Sequence, residues 1–481
     1  MTRPPTETDV LVVGAGFAGL TAARRLADAN VDVVVLEARQ RVGGRTHTVQ
    51  RNGVTIDLGG QWIGPGQDRV AALAHELGVD TYPQYDEGDH VVVRADGPRR
   101  VADPALAFDD EELLGYIDLV GALEALSESV PADSPWEAPD AEAMDRQTLA
   151  GWVDGRSPAP AVAELFEVGV QAVFAASSTD LSLLHVAHYL ACSGGWAALT
   201  DTTGGAQETR LVGGVEPLAR RLADLLGDRV YTDAEVTALA WGDDGVVATI
   251  GRGEGVRRLR ARAAVVAVPP SVTQRLHFDP PLPPGRDQLI AHMPGGSVIK
   301  FHAVYPTPFW RAEGLSGQVI APQAVVGATF DGTQPGPDGS APGPGIITGF
   351  FEAAHATAAG RLTQDGRRAQ VVAHLTATLG PRAADPIDYV DLDWSAEPHT
   401  RGCYGAHLPP GAWTRWGPEL RRAVGPIHWA GSECATRWVG YIDGAIESGE
   451  TSARAVLAAL REAESGRTPG SGDTEEVGEH V

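Results

Sequence analysis

Residues 9–38, DVLVVGAGFAGLTAARRLADANVDVVVLEA, pass from an apolar run through three closely spaced glycines into a 3.6-residue periodicity and back to an apolar run. The pattern predicts a strand over Val10 to Val13, a helix with Leu20, Ala23, Leu26 and Ala27 on its buried stripe, and a second strand over Val31 to Leu36. That is a complete βαβ unit. DRVAALAHELG repeats the helical spacing at Val70, Leu73, Ala74 and Leu77, with Gly78 placed to end it.

From about residue 110 to 200 the pattern is helical, broken by the proline-rich PADSPWEAPD at 131–140. GGVEPLARRLADLLGD then predicts a helix between Pro217 and Gly227, followed by hairpin strands around Val236, Val246 and Val247 and the strand AAVVAVPP. GSVIKFHAVY, residues 296–305, is apolar on both faces and predicts a strand buried on at least one side, with Val298, Lys300, His302 and Val304 sharing a face. Residues 331–345, DGTQPGPDGSAPGPG, predict a surface loop, and the last twenty or so residues a disordered acidic tail. This alternation gives an α/β fold in which a Rossmann-like nucleotide-binding domain is discontinuous and an α+β domain is inserted between its parts.

Composition sharpens this at one position. The chain of 481 residues has 38 lysines and arginines together, of which Lys300 is the sole lysine. An ammonium is a point donor whose proton affinity falls on burial, which a guanidinium cannot imitate. The net charge of −25 argues against nucleic acid and anionic membrane surfaces and favours approach of small cations. Three cysteines, Cys192, Cys403 and Cys434, form no paired framework and no metal-ligand spacing, as expected of a reducing cytoplasm. No signal peptide or membrane span is expected, so the chain reads as soluble and cytoplasmic.

Gly14, Gly16 and Gly19 form G-x-G-x-x-G between a strand and a helix, the setting in which the motif cradles a pyrophosphate, and Glu37 ends the second strand where a carboxylate can take ribose hydroxyls. RVGGRT follows, with Gly43, Gly44 and Arg45 beside the expected pyrophosphate, and resembles the second fingerprint of the FAD-dependent amine oxidase family. The resemblance extends from about residue 9 to 460 through GGQW at Gly59 to Trp62, GGAQETRLVGG, DAEVTAL, IKFHAVYPTPFWR, RGCYGAHLPPG and WAGSECATRWVGYIDGAIESGETSA. Together these are similar to the monoamine oxidase branch, in its soluble bacterial form.

What the resemblance implies is a glutathione-reductase-like FAD fold, with FAD-binding parts at 1–86, 206–291 and 397–460, substrate-domain parts at 87–205 and 292–396, and a tail at 461–481. It implies that Lys300 faces the flavin and that Tyr404 and Tyr441 form an aromatic cage in front of it, a slot for a flat CH2–NH2 group. The implied cofactor contacts are Gly14, Gly16, Phe17, Ala18, Gly19, Glu37, Ala38, Arg39, Gly43, Gly44, Arg45, Gly60, Gln61, Trp62, the backbone at Val236, Trp394, Cys403, Gly431, Ser432, Glu433 and Tyr441. Cys403 stands where mammalian monoamine oxidases carry a thioether to the flavin, and the helix starting near Tyr441 would aim its positive end at the flavin's carbonyl edge.

The implied reaction is oxidative deamination of a primary or secondary amine to aldehyde, ammonia and hydrogen peroxide. Lys300 would hold a water and supply positive charge while dioxygen is reduced. The expected partners are a small-molecule amine and dioxygen, with no nucleic acid and no membrane anchor; homodimer formation is left open. Within the same fold a polyamine, putrescine or L-amino-acid oxidase is the alternative. The last would need a cation for the substrate carboxylate, and Arg210, Arg311 and Arg437 are its candidates. A flavin desaturase or isomerase that never uses oxygen is a further alternative.

Overall fold

The computed structural model describes residues 3–253, 255–336 and 343–465. Its first sheet is built on the strand Glu7–Val13, which pairs in parallel with Val33–Leu36 on one side and with Arg257–Val266 on the other. Val10 to Val13 are all buried, because strands between two covered faces are apolar on both sides. The ten-residue strand Arg257–Val266 takes antiparallel Gly245–Ile250 along its first half and parallel Ile427–Trp429 along Ala264 to Val266. Strands from the beginning, middle and end of the chain therefore share one sheet.

The helix Phe17–Asp28 follows the glycine turn and packs on the C-terminal helix Ile442–Ser465. The contact is close because it is made by small residues: a Cβ added at Gly449 would run into the carbonyl oxygen of Ala18. Ala18, Ala22, Ala453 and Val456 are buried in the same cluster.

The second sheet has seven strands, with Val298–Tyr305 lying between Asp388–Asp393 and Gly345–Glu352 and antiparallel to both. All eight residues of Val298–Tyr305 are buried, so the expected strand is covered on both faces. Its register sets Lys300 opposite Phe350 and Val298 opposite Glu352, which puts Lys300, Phe350 and Glu352 on one face. A helical layer covers this region. Its long helices Asp110–Ser127, Pro160–Phe174 and Leu183–Ser193 bury Leu119, Leu123, Phe166, Val170 and Leu184 together. The first of them starts on a reciprocal capping box between Asp109 and Glu112.

Four sequence expectations change. The second strand begins at Val33, two residues after Val31, and Ala27 is only half-buried. The expected surface loop 331–345 begins and ends in strands: Asp331 is buried at a strand end, accepting from Trp310 Nε1 at 2.8 Å and Arg311 Nε at 2.6 Å, and Gly345 opens the next strand, while residues 337–342 lie outside the described residues. The expected tail from 461 begins as helix, since Ile442–Ser465 continues to Ser465; the rest of that tail lies outside the described residues.

Overpacking the contact between the first and last helices costs about 1–3 kcal/mol. Gly449→Val is accordingly expected to lower the thermal midpoint followed by circular dichroism, whereas Gly242→Ala, with nothing within 4 Å of the added Cβ, is expected to leave it unchanged.

Candidate active site

A cavity of about 350 Å³ runs from Glu37, Ala38, Arg39 and Val236 past the glycine turn to Tyr404 and Tyr441. Gly14, Gly16, Phe17, Ala18, Gly43, Gly44, Arg45, Gly60, Cys403, Gly431 and Ser432 line it between those ends. Gly14 has φ +103°, and a Cβ on Gly44 would lie 3.3 Å from Gly16 Cα, so side chains at the turn would close the channel. The helix Phe17–Asp28 starts at Gly16 with no side-chain cap, which leaves its positive end for an anion. A dinucleotide fits this shape and donor set.

Gly19 does not line the cavity. Its missing side chain lets the helix sit on the carbonyl of Gly14, a packing role. Glu37 accepts from Ala15 N and Arg39 N, both at 2.9 Å, which pins its carboxylate at the strand end. Trp394 and Glu433 also line neither cavity. Trp394 is buried beside Cys403 and donates to Leu58 O at 2.8 Å, so it supports the wall from behind. Glu433 grips Arg45 at 2.6 Å and 3.0 Å and accepts from Ala406 N at 3.1 Å. Arg45 in turn donates to Tyr404 O at 2.8 Å and Ser432 Oγ at 3.0 Å. Burial pushes the Glu433 carboxyl up, but the charge and hydrogen bonds of Arg45 outweigh it and hold the group below its ordinary range.

A second cavity of about 790 Å³ lies under the helical layer. It shares Gly60, Tyr404, Gly440, Tyr441 and Ile442 with the first, so the two meet at a junction lined by both tyrosines. The Tyr404 ring packs on Phe350 at 6.0 Å and that of Tyr441 on Trp438 at 5.1 Å. The helix beginning at Ile442 points its start at this junction.

Lys300, Gln61 and Trp62 belong to the second cavity. Lys300 Nζ donates to Gly59 O at 2.8 Å and Gln61 Oε1 at 2.5 Å, and lies 5.5 Å from the Trp62 ring centre. Burial lowers its proton affinity well below the usual lysine value; Asp57 opposes this and Arg210 adds to it. Cys403 is a free, buried thiol pushed up to about 12 by burial, with Arg45 opposing.

Arg210, Arg311 and Arg437 line neither cavity. Arg210 is buried and donates to Gly332 O at 2.8 Å, and Arg311 is paired with Asp331. Sequence reasoning missed Phe350, Tyr189 and Glu352, all of which line the second cavity. Glu352 closes the all-buried strand Gly345–Glu352, and its Oε1 accepts from the Tyr404 hydroxyl at 3.0 Å. The only sequence signal was a carboxylate ending an otherwise apolar strand.

Removing one partner of a buried ion pair costs about 3–5 kcal/mol. Arg45→Met should therefore destabilise the fold by that order in denaturant titrations. Because the folded Glu433 proton affinity is depressed, its contribution is complete above the ordinary carboxylate range and is lost as pH falls through the folded value. The thermal midpoint should fall more steeply on acidification in the native protein than in Glu433→Gln.

Comparison with known proteins gives the family. The family model for flavin containing amine oxidoreductases matches residues 17–457. A Mycobacterium tuberculosis protein, provisionally named flavin-containing monoamine oxidase AofH, is 40% identical over 466 residues, covering 96% of this chain and 99% of its own. Human amine oxidase [flavin-containing] B is 36% identical over 459 residues, covering 94% of this chain and 86% of its own. Among solved structures, putrescine oxidase bound to putrescine superposes with a TM-score of 0.89 at 33% identity, covering 95% of this chain and 100% of that one. No helix among the described residues is long and apolar enough to cross a membrane. The chain thus belongs to the flavin-containing amine oxidoreductase family and is an FAD-dependent amine oxidase.

Proposed function

We propose that the substrate is a small primary amine, oxidised in the slot between Tyr404 and Tyr441, with dioxygen as the final electron acceptor. The observation that carries this reading is the meeting of the two cavities at that pair of rings, with Lys300 on the adjoining wall. FAD, when bound in the narrower cavity, supplies the two-electron acceptor for the amine's α C–H bond and returns those electrons to dioxygen.

The chain's own residues do the rest. Tyr404 and Tyr441 present flat π faces that orient the CH2–NH2 group, and burial lifts both phenols above their ordinary range, so both remain neutral donors. Lys300 is fixed by Gly59 and Gln61 and, with its lowered proton affinity, exchanges a proton more readily than an exposed lysine. Its N–H donors, held on the cavity wall, support the build-up of negative charge on dioxygen.

An L-amino acid is disfavoured because none of its three candidate arginines reaches the cavity. A diamine is the second reading: the same cavity is walled by Asp86, Asp103 and Asp201, which would favour a second ammonium. We further propose that Cys403, which lines the channel close to Tyr404, would carry the flavin as a thioether, the thiol S–H and one flavin C–H bond being given up and their electron pair passing on to dioxygen, and that the protein works in the cytoplasm.

Anaerobic titration with benzylamine, phenylethylamine, tyramine and putrescine should bleach the flavin, and air should restore it; no bleaching by any of them removes the reading. Lys300→Met should slow reoxidation by oxygen by about 10²-fold, as loss of one preorganised donor does, while amine affinity changes far less. An unchanged oxygen rate would refute that role. Acid precipitation should leave the yellow colour in the pellet, and a colourless pellet would exclude the thioether.

A further inference from the structure

Glu352 is 3% exposed and lines the amine cavity, yet among the described residues no lysine, arginine or histidine is paired with it. Among the described residues its one side-chain hydrogen bond is the 3.0 Å contact from the Tyr404 hydroxyl to Oε1, and Oε2 has no donor. A carboxylate buried this far is costly unless charge and hydrogen bonds compensate it. Local structure gives it no other use: Glu352 directly precedes the helix Ala353–Ala359, but its side chain makes no capping bond. Lys300, on the same sheet face, is committed to Gly59 and Gln61.

The surroundings leave one kind of partner. The ring of Phe350 packs on Tyr404, so the carboxylate sits at the edge of an aromatic slot of the type that receives cationic nitrogen. Exposed Asp103 and Asp201 and half-buried Asp86 line the same cavity, so its field attracts cations toward Glu352. Burial lifts the Glu352 proton affinity to about 7, with Tyr404 opposing, as expected of an anion that lacks its counter-charge.

We propose that Glu352 is a specificity-determining residue: its carboxylate is the counter-ion for the substrate's ammonium group, receiving the amine as a cation at the edge of the Tyr404 slot. The inference rests on the amine-oxidase reading above and adds the group that selects charged amines over uncharged isosteres. The ion pair holds the cation one deprotonation away from the neutral amine that is oxidised.

The test separates binding from turnover by using a ligand with no α C–H bond. The FAD-loaded protein is titrated at pH 8 with 2-phenylpropan-2-amine and with 2-phenylpropan-2-ol, and binding is read from the perturbed flavin band. The native protein should bind the amine at least about tenfold tighter than the alcohol, the scale of one charge-assisted contact. Glu352→Gln keeps an acceptor for Tyr404; it should reduce the preference to below about threefold while leaving alcohol affinity unchanged, and Glu352→Asp should retain most of it. An undiminished preference in Glu352→Gln overturns the proposal. So does the absence of preference in the native protein, which decides the matter even if the variant fails to hold flavin. A carboxylate-dependent preference in a protein that oxidises no amine would sustain Glu352 and defeat the turnover reading; turnover without preference would do the reverse.

Discussion

The bidentate grip of Glu433 on Arg45 joins two side chains 388 residues apart, and the geometry of the site hangs from it. The same guanidinium holds the Tyr404 carbonyl and the Ser432 hydroxyl, and the same carboxylate holds the Ala406 amide. One pair therefore fixes the loop after the second glycine pair, the segment bearing one cage tyrosine, and the turn leading into the last helix. Buried ion pairs contribute little net stability compared with apolar packing, and their value lies in specifying one arrangement among several. Here that arrangement sets where the Tyr404 ring stands.

The second sheet supplies the chemistry to this frame. Lys300 and Glu352 project from neighbouring strands on a single face, and burial drives both toward their uncharged forms, the amine by lowering its proton affinity and the carboxyl by raising its own. The two differ in what offsets this. Lys300 has two oxygen acceptors at hydrogen-bond distance, whereas Glu352 has one phenol. The lysine is complete as it stands, and the glutamate is completed by what enters the cavity.

The nucleotide-binding turn was legible because its residue types answer to local geometry: Gly14 at φ +103° and Gly19 against a carbonyl admit no substitute, and Glu37 ends its strand as the βαβ pattern requires. Lys300 was legible through its singularity in composition. Arg45, Tyr404 and Tyr441 were visible only through ordered motif resemblance, since nothing in their immediate spacing brings them together. Glu352 was hidden because a glutamate before an alanine-rich helix reads as an exposed terminus, and only the strand register turns it inward. Trp394 and Glu433 are one layer farther from the channel than motif reading placed them. Asp331 was misread for a related reason, because the glycine- and proline-rich composition after it masked a buried strand end.

The unique lysine has a meaning for the outside of the molecule as well. Simple aldehydes form imines with primary amines and scarcely with guanidinium groups. A catalyst that sheds aldehyde into its own vicinity, and whose surface cations are arginines throughout, offers that product no lysine to cross-link. The one lysine it keeps is 3% exposed, screened by Trp62 and Phe350 and tied to two oxygens. The exterior thereby presents no lysine amine to the compound the interior makes.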